Sequence, residues 1–404
     1  MGILKDRLLI TITTLGLLLR LILIFLPGFQ IDVTAWFGWA ERLNQVGFAH
    51  FYSDQIWTNY TPGYLYILYL AGSIKNLLNI TNGQFYLLLK IPSILAEILI
   101  SIFIYKLIGK ESKTWARLAT AAVLFNPAFI FNSAMWGQID GLLSLLFLLS
   151  IYFLNQKKLI LAGIYFGLAF LIKPQAITLI PVYSLYLISN FSIQSFLKLS
   201  VPALITIFLA SVPFFPKQFW GFPQLFLRMS SDYSYTSLFA YNFWGIVGFW
   251  IPDNHLWINL SYQTWGYILF VGYWIVVAYF FFKKKLSLYS LAVLASLSFF
   301  FLPTRVHERY LYPSLVFLIL TASLLRSPLL FMLTIILSLI HFFNLYYVYV
   351  YYNEFYLKLP KMLYNPILYD FLSTNGKLLS VTSTALFILI SIFIIKSQYA
   401  HKKS

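Results

Sequence analysis

Four short polar stretches interrupt a strongly apolar sequence, and their side chains are of the kinds that move protons and bind phosphate. The densest is PTRVHERYLYP at residues 303–313. Arg305 and Arg309 are four residues apart, so a helix that begins early would place them on one face. Two guanidinium groups match phosphate oxygens bidentately. A purely anchoring role would not call for His307 and Glu308 between them, so this stretch predicts an anion-binding site.

Asp32 is a candidate catalytic carboxylate. It lies in FQIDVTAW, six residues past the first apolar run, and it is one of only 12 acidic residues in the chain. The alternative is an N-cap, because DVTAWFGWAERL is typical of the start of a helix. The sequence leaves both interpretations open.

The stretch SAMWGQIDGLL places Trp136, Gln138 and Asp140 immediately before an apolar run. An indole can stack on the face of a sugar, and amide and carboxylate groups can hydrogen-bond its hydroxyls. This pattern predicts substrate binding. The alternative is an interfacial anchor in which Asp140 caps a helix that begins at Gly141.

The stretch LIKPQA places Lys173 at the end of one predicted helix and Pro174 at the start of the next. Lys173 is then either a phosphate ligand or a cation stabilised by the helix C-terminus.

Composition gives the class of protein that positions these motifs. The chain is 60% hydrophobic and 10% charged, with a mean hydropathy of +0.80. This predicts an all-α polytopic membrane protein with about 12 (11–13) transmembrane helices. The net charge of +16 fits basic loops at a membrane surface better than nucleic-acid binding. The predicted spans are residues 8–26, 87–105, 116–132, 140–155, 159–172, 175–190, 199–214, 265–282, 286–302, 311–325, 328–347 and 378–396.

The absence of cysteine excludes structural disulfides, thiol catalysis and Cys-ligated metals. His50, His255 and His341 have no metal-ligand spacing, so no metal site is expected. Arg20 and Glu97 fall inside apolar spans, where a structural ion pair is one explanation, and they are left out of the predicted site.

The positive-inside rule orients the chain. Basic clusters fall on one side, with both termini cytoplasmic, if residues 61–78 form an interfacial helix that does not cross the membrane. All four polar motifs then face the extracytoplasmic side of a single transmembrane domain, residues 1–404. The predicted extracytoplasmic segments are 27–86, which includes interfacial helices, and the long loops 215–264 and 348–377.

Taken together, these motifs resemble the GT-C class of membrane glycosyltransferases, which use lipid-phosphate-linked sugars. The resemblance includes the acidic residue of the first loop, the Tyr/Pro helix in NYTPGYLYILYL, and WGQIDGL with KPQA, which is similar to bacterial mannosyltransferase-like members. VHERYLYP resembles the His-Glu-basic motif of dolichol-pathway hexosyltransferases. The first loop has no paired Asp-Glu as in protein O-mannosyltransferases, and the chain has no metal-binding Asp-x-Asp, which argues against the metal-dependent members.

The resemblance implies a polyprenyl-phosphate hexose donor, with mannose as the suggested sugar, and a glycan or glycolipid acceptor, without a cofactor or a metal. Asp32 would act as the base in a single inverting displacement, and Arg305, Arg309, Lys173 and His307 would bind the donor phosphate. Sugar and acceptor would meet Trp136, Gln138, Asp140, Gln175, Glu308, Tyr310 and Tyr60. The expected location is the plasma membrane. A transporter or flippase of a lipid-linked sugar, and a non-catalytic scaffold, are the alternatives. Ionisable residues concentrated at one membrane face favour the enzyme.

Overall fold

The apolar runs form helices, because a chain in lipid must satisfy its backbone N–H and C=O groups internally. The computed structural model describes residues 6–52, 56–217, 220–284 and 286–400, and the protein is 78% helical. The α-helices in these ranges are α1 Arg7–Leu23, α2 Gln30–Val46, α3 Pro62–Leu78, α4 Asn82–Ile108, α5 Lys113–Leu124, α6 Pro127–Ile130, α7 Asp140–Asn155, α8 Leu159–Ile172, α9 Ile180–Ser189, α10 Ile193–Ser211, α11 Gly221–Met229, α12 Phe243–Val247, α13 Tyr262–Lys284, α14 Leu288–Phe301, α15 Tyr312–Leu324, α16 Pro328–Val350 and α17 Pro366–Ala400.

Short hydroxyl side chains begin several of these helices. Ser112, Ser192, Ser287 and Ser327 each accept a hydrogen bond from the backbone N–H three residues ahead, which satisfies one of the free donors of the first turn. Thr81 and its partner in α4 form a capping box. The sequence therefore fixes where α4, α5, α10, α14 and α16 begin.

The centre of the molecule is formed by α7 and α15. Helix α7 contacts α4, α8 and α15, while α15 also contacts α5, α14 and α16. Every residue from Tyr312 to Ser323 is buried. Two of the four polar motifs, those at 133–143 and 303–313, adjoin the first residues of α7 and α15, so this part of the site is attached to a well-packed region of the protein.

Two small β-structures lie outside the helices. Strands β1 (Ser237–Leu238) and β4 (Val306–His307) pair in parallel, with Ser237 opposite Val306 and Leu238 opposite His307. Strands β2 (Leu256–Trp257) and β3 (Leu260–Ser261) form an antiparallel hairpin. The first pairing attaches the long segment between α10 and α13 to the 303–313 motif.

Six helices in the described ranges are long and apolar enough to cross a membrane, by length and composition. They are Asn82–Ile108, Lys113–Trp136, Ile193–Phe214, Tyr262–Lys283, Pro328–Tyr356 and Pro366–Ser397. All 12 predicted spans fall on helices, but a count of about 12 spans is not confirmed. The reason is local. The polar motifs cut several apolar runs into helices of 10–17 residues, such as Asp140–Asn155 and Leu159–Ile172, whereas a straight crossing takes about 20 residues.

Helices α1, α4 and α15 are joined by a buried polar network around Glu97. Arg20 Nε lies 2.5 Å from Glu97 Oε2, and neither side chain is exposed to solvent. Tyr312 donates to Glu97 Oε1 at 2.6 Å, and Ser133 donates to Oε2 at 2.9 Å. Arg20 and Glu97 are therefore a structural pair at the base of the site.

Candidate functional site

Asp32 belongs to the first turn of α2, and the carboxylate bonds to another segment of the chain. The helix begins at Gln30 with Phe29 as its N-cap and without a capping side chain, so the cap interpretation of Asp32 is wrong. Its Oδ2 accepts from the indole N–H of Trp136 at 2.9 Å and from the amide of Gln138 at 2.5 Å. A carboxylate is favoured in the first turn of a helix. Two donors fix its orientation, and no side chain in the described ranges donates to Oδ1.

The tight turn after the six-residue π-helical segment Phe131–Trp136 aims these two donors at Asp32. Gly137 ends this segment with φ +94°, a conformation that glycine adopts most readily. The backbone N–H groups of Gly137 and Gln138 both donate to the carbonyl of Asn132, at 3.1 and 3.0 Å. The ring of Trp136 is fully buried and stacks on Phe29 with centroids 4.3 Å apart. Trp136 thus contacts Asp32 with its N–H and packs its ring in the protein interior.

Gln138 connects Asp32 to a buried ion pair. Its Oε1 accepts from the hydroxyl of Tyr60 at 3.2 Å and from Lys173 Nζ at 2.9 Å. Lys173 Nζ lies 2.5 Å from Asp140 Oδ1, and both side chains are buried. Asp140 is the first residue of α7, which has no side-chain cap, so the interpretation of Asp140 as a cap is also wrong. The motifs WGQID and KPQA form one hydrogen-bonded chain.

Tyr60 is protonated, as its hydrogen bond to Gln138 requires. Burial, with the nearby carboxylate of Asp32, raises the pKa of Tyr60 well above its ordinary value. The phenol therefore stays protonated at neutral pH and can donate to Gln138.

Arg305 and Arg309 do not share a helical face, because the helical turn begins only at Glu308. Arg305 lies outside a helix with φ +66°. Its Nε is 2.7 Å from Asp253 Oδ2, and its Nη1 donates to the carbonyl of Ser230 at 2.7 Å. Arg305 therefore ties the long segment between α10 and α13 to the 303–313 motif.

Arg309 is buried beside Glu308 and His307. Its Nη1 is 3.0 Å from Glu308 Oε1 and 3.4 Å from His307 Nδ1. Its buried Nε has no hydrogen-bond partner in the part of the chain that the structure describes. One edge of the guanidinium is thus fixed by protein, and the other retains a donor suited to an anion.

The charge state of His307 follows from its surroundings. Burial lowers the pKa of His307, and the positive charge of Arg309 lowers it further. The imidazole is therefore neutral at neutral pH, in agreement with its Nδ1 accepting from Arg309.

Two cavities meet at these residues. The first, of about 230 Å³, is lined by Lys173, Gln175, Arg305 and Tyr310, with apolar residues of α11 and α14. The second, of about 120 Å³, is lined by Asp32 and Glu308. Both cavities are also lined by Asn59, Tyr60, Tyr233, His307 and Arg309.

The second cavity is strongly aromatic. Half of its lining residues are Phe, Tyr or Trp, and the indole of Trp57 at its edge is 54% exposed. The aromatic residues are Phe29, Trp36, Trp39, Trp57, Tyr60, Tyr233, Phe239, Trp250 and Tyr352.

The structure brings all twelve predicted site residues into this region. The amide of Gln175 donates to the carbonyl of Tyr310 at 3.2 Å, and the Arg309 guanidinium lies 5.9 Å from the Tyr310 ring centroid. Asp253, Asn132 and the aromatic residues of the second cavity other than Tyr60 were not predicted from the sequence. Asp253 could have been found, because it is another of the 12 acidic residues and lies in a predicted extracytoplasmic loop. Among the described residues, no group of three His, Asp or Glu side chains could hold a metal ion.

A family model matches part of the chain. No curated protein matches the chain. Residues 62–220 match the family model of dolichyl-phosphate-mannose-protein mannosyltransferases. The matched segment, somewhat less than half of the chain, includes Gln138, Asp140 and Lys173 but neither Asp32 nor the 303–313 motif. The match confirms the predicted resemblance to GT-C membrane glycosyltransferases over this segment. The apolar helices of the structure agree with a membrane protein.

Proposed function

We propose that this protein transfers a hexose, mannose by similarity, from a polyprenyl-phosphate donor to a hydroxyl group of a glycan or glycolipid. The proposed location is the plasma membrane, with the site on the extracytoplasmic face. The observation that supports this function best is that Asp32 and the second cavity lie next to Arg309, which also lines the first cavity.

Asp32 is the proposed general base. One carboxylate oxygen is held by Trp136 and Gln138, so the other is directed to the substrate. In the proposed step the acceptor hydroxyl oxygen forms a bond to the anomeric carbon and gives its proton to Asp32. The bond from that carbon to the phosphate oxygen breaks, and the polyprenyl phosphate leaves with the electron pair. A single displacement inverts the anomeric centre and needs only one carboxylate, in contrast to double-displacement enzymes.

The first cavity is the proposed site of the donor phosphate. Lys173, Arg305 and Arg309 all line it, and each pairs with a carboxylate: Asp140, Asp253 and Glu308 respectively. Each pairing holds its cation in place and offsets part of the desolvation cost of burying it. The free Nε–H of Arg309 makes it the principal phosphate ligand in this proposal, with Lys173 and Arg305 stabilising the charge that develops on the leaving group. His307, as a neutral ring, would orient Arg309.

The second cavity is the proposed acceptor site. The flat apolar faces of sugar rings stack on Trp and Tyr, while Asp32, Asn59 and Glu308 offer hydrogen bonds to hydroxyl groups. These features favour a carbohydrate acceptor. The attacking hydroxyl of the acceptor would then reach Asp32 from a cavity directly beside the donor phosphate.

The test is a transfer assay with the purified protein in proteoliposomes and radiolabelled polyprenyl-phosphate mannose. Acceptors are a lipid-linked oligosaccharide, a free glycan and a serine/threonine peptide, and Asp32→Asn serves as the matched inactive control. We expect labelled glycan or glycolipid product with the unmodified protein only. Labelled peptide alone would overturn the acceptor assignment. Transport of donor across the vesicle membrane without any product would overturn the enzyme assignment.

A further inference from the structure

The hairpin formed by β2 and β3 carries apolar side chains that contact little protein. Leu256 is 71% exposed, Trp257 50% and Ile258 68%, and every residue from Asn254 to Leu260 is exposed. Scattered apolar residues on a surface are ordinary, but a contiguous apolar projection indicates an interaction surface.

The turn of this hairpin is unfavourable for the residue at its tip. Ile258 has φ +49° and Asn259 φ +61°, the left-handed pair of a tight hairpin turn. Asparagine suits this conformation, whereas a β-branched side chain at positive φ is an outlier that costs free energy. Local folding would be served better by Asn or Gly at 258. The turn itself therefore does not explain the exposed Ile258, and we look for an explanation in a contact outside the hairpin.

The hairpin continues directly into an exposed apolar helix that is long enough to cross a membrane. Strand β3 ends at Ser261 and α13 begins at Tyr262, and only 17% of the apolar window of α13 is buried inside the protein. The sequence carries no Asp, Glu, Lys or Arg between Asp253 and Lys283. The apolar surface of the tip is thus continuous with the exposed apolar surface of α13, and no Asp, Glu, Lys or Arg lies between them.

Aromatic groups connect the hairpin to the end of α13. The indole N–H of Trp265 donates to the carbonyl of Trp257 at 2.7 Å, and their ring centroids are 5.3 Å apart. Tryptophan concentrates at the boundary between headgroups and acyl chains. An aromatic pair of this kind is typical of segments at the depth of the membrane interface.

The base of the hairpin is fixed to the candidate site. The buried carboxylate of Asp253 accepts from the side chains of Thr304 and Arg305, and its backbone carbonyl accepts from the N–H of Gln263. A contact between the tip and lipid would consequently hold the 303–313 motif at a set distance from the membrane.

We propose that the tip of this hairpin, residues 256–260, inserts into the headgroup–acyl boundary of the leaflet on the side of the candidate site. The partner is bilayer lipid. The membrane-facing surface of α13 reaches the hairpin, which is why lipid rather than another protein is the proposed partner. This proposal is independent of the sugar chemistry.

The test uses single cysteines, because the natural chain contains none. Ile258→Cys, Asn254→Cys and Val271→Cys are labelled with an environment-sensitive fluorophore and reconstituted into phosphatidylcholine vesicles. Position 254, at the polar base, is the aqueous comparison, and position 271, on the exposed face of α13, is the lipid comparison. Nitroxide placed near the headgroup should quench the label at 258 at least about twofold more than the label at 254, as for an interfacial apolar segment.

Two results would overturn the proposal. Full quenching of the 258 label by aqueous iodide, without quenching by nitroxide lipid, would place the tip in water. Protection from both quenchers would indicate a protein partner instead. Asn259→Cys repeats the measurement at the tip with Ile258 retained, so a local effect of replacing the isoleucine is separated from the position of the tip.

Discussion

The side-chain amide of Gln138 donates to the Asp32 carboxylate across 2.5 Å, and its oxygen accepts from Lys173. The Gln138 side chain thus sets the positions of Asp32, the proposed base, and of Lys173, a cation proposed to stabilise the donor phosphate. Gln138→Leu removes both bonds, and the one that Tyr60 donates, at similar volume. We expect kcat to fall by up to about 100-fold through misplacement of the base. Steady-state transfer kinetics measure this.

Trp136→Phe is the companion variant, because it removes one donor to Asp32 and retains most of the buried ring. Its loss of kcat should be smaller than that of Gln138→Leu. An unchanged kcat in Gln138→Leu would exclude the bridging role.

Asp32→Asn should reduce transfer by at least about 100-fold, because the amide cannot accept the proton of the acceptor hydroxyl. Donor affinity, measured by equilibrium binding of labelled polyprenyl-phosphate sugar, should stay within about twofold, since the cations that bind phosphate in this proposal are intact. Glu41→Gln, a half-exposed carboxylate elsewhere in α2, is the matched control and should retain activity. Turnover by Asp32→Asn at the unmodified rate would remove Asp32 from the mechanism.

Arg309→Lys should weaken donor binding by about tenfold or more. Lysine keeps the charge but loses the planar guanidinium edge, and a lost hydrogen bond to a charged group costs about 1.5–3 kcal/mol. Binding of the donor and of a sugar-free polyprenyl phosphate should weaken together, because the phosphate is the shared group. If only the sugar-bearing lipid bound less well, Arg309 would contact the sugar rather than the phosphate.

Arg305→Gln should lower thermal stability more than it lowers donor affinity. The substitution leaves the buried Asp253 carboxylate without its guanidinium partner, and an unsatisfied buried group costs about 1–3 kcal/mol. The double variant Arg305→Gln, Asp253→Asn should recover much of the loss, because it removes the uncompensated charge. Unfolding midpoints in detergent give the comparison, and additive losses in the double variant would contradict a coupled pair.

The lowered pKa of His307 predicts the pH dependence of its variants. Burial and Arg309 favour the neutral ring, so the imidazole stays uncharged from neutral pH down to below its ordinary pKa of about 6.5. His307→Asn should therefore give a profile of kcat/KM parallel to that of the unmodified protein between pH 6.5 and 8. A limb near pH 6.5 that disappears in the variant would mean that His307 titrates during the reaction.

The helices were predictable because a long apolar run in lipid can satisfy its backbone N–H and C=O groups within one segment only as a helix. All 12 predicted spans fall on helices. The number of crossings was not predictable in the same way. Residues 131–136, 174–179 and 308–311 wind as π or 3₁₀ turns at the polar motifs, and the apolar runs beside them are too short for a simple count.

The predicted site residues do meet, since each lies at the end of a helix whose packing is set by its apolar face. Their partners were not predictable, because pairings such as Arg305 with Asp253 and Trp136 with Asp32 join segments far apart in sequence. The burial of Trp136 illustrates this. An indole before an apolar run is equally suited to a sugar and to a buried carboxylate contact, and only the fold distinguishes them.

The side chains that line both cavities would couple the affinities for donor and acceptor. Tyr60, Tyr233, His307 and Arg309 line both compartments, so a sugar would pass between its two carriers without crossing open water. If the two cavities hold donor and acceptor as proposed, substitution of any of these four side chains should disturb recognition of both ligands at once. Cooperativity between donor and acceptor binding would then arise from the side chains that line both cavities. A change in the apparent affinity for one substrate would not by itself show which substrate the substituted residue contacts.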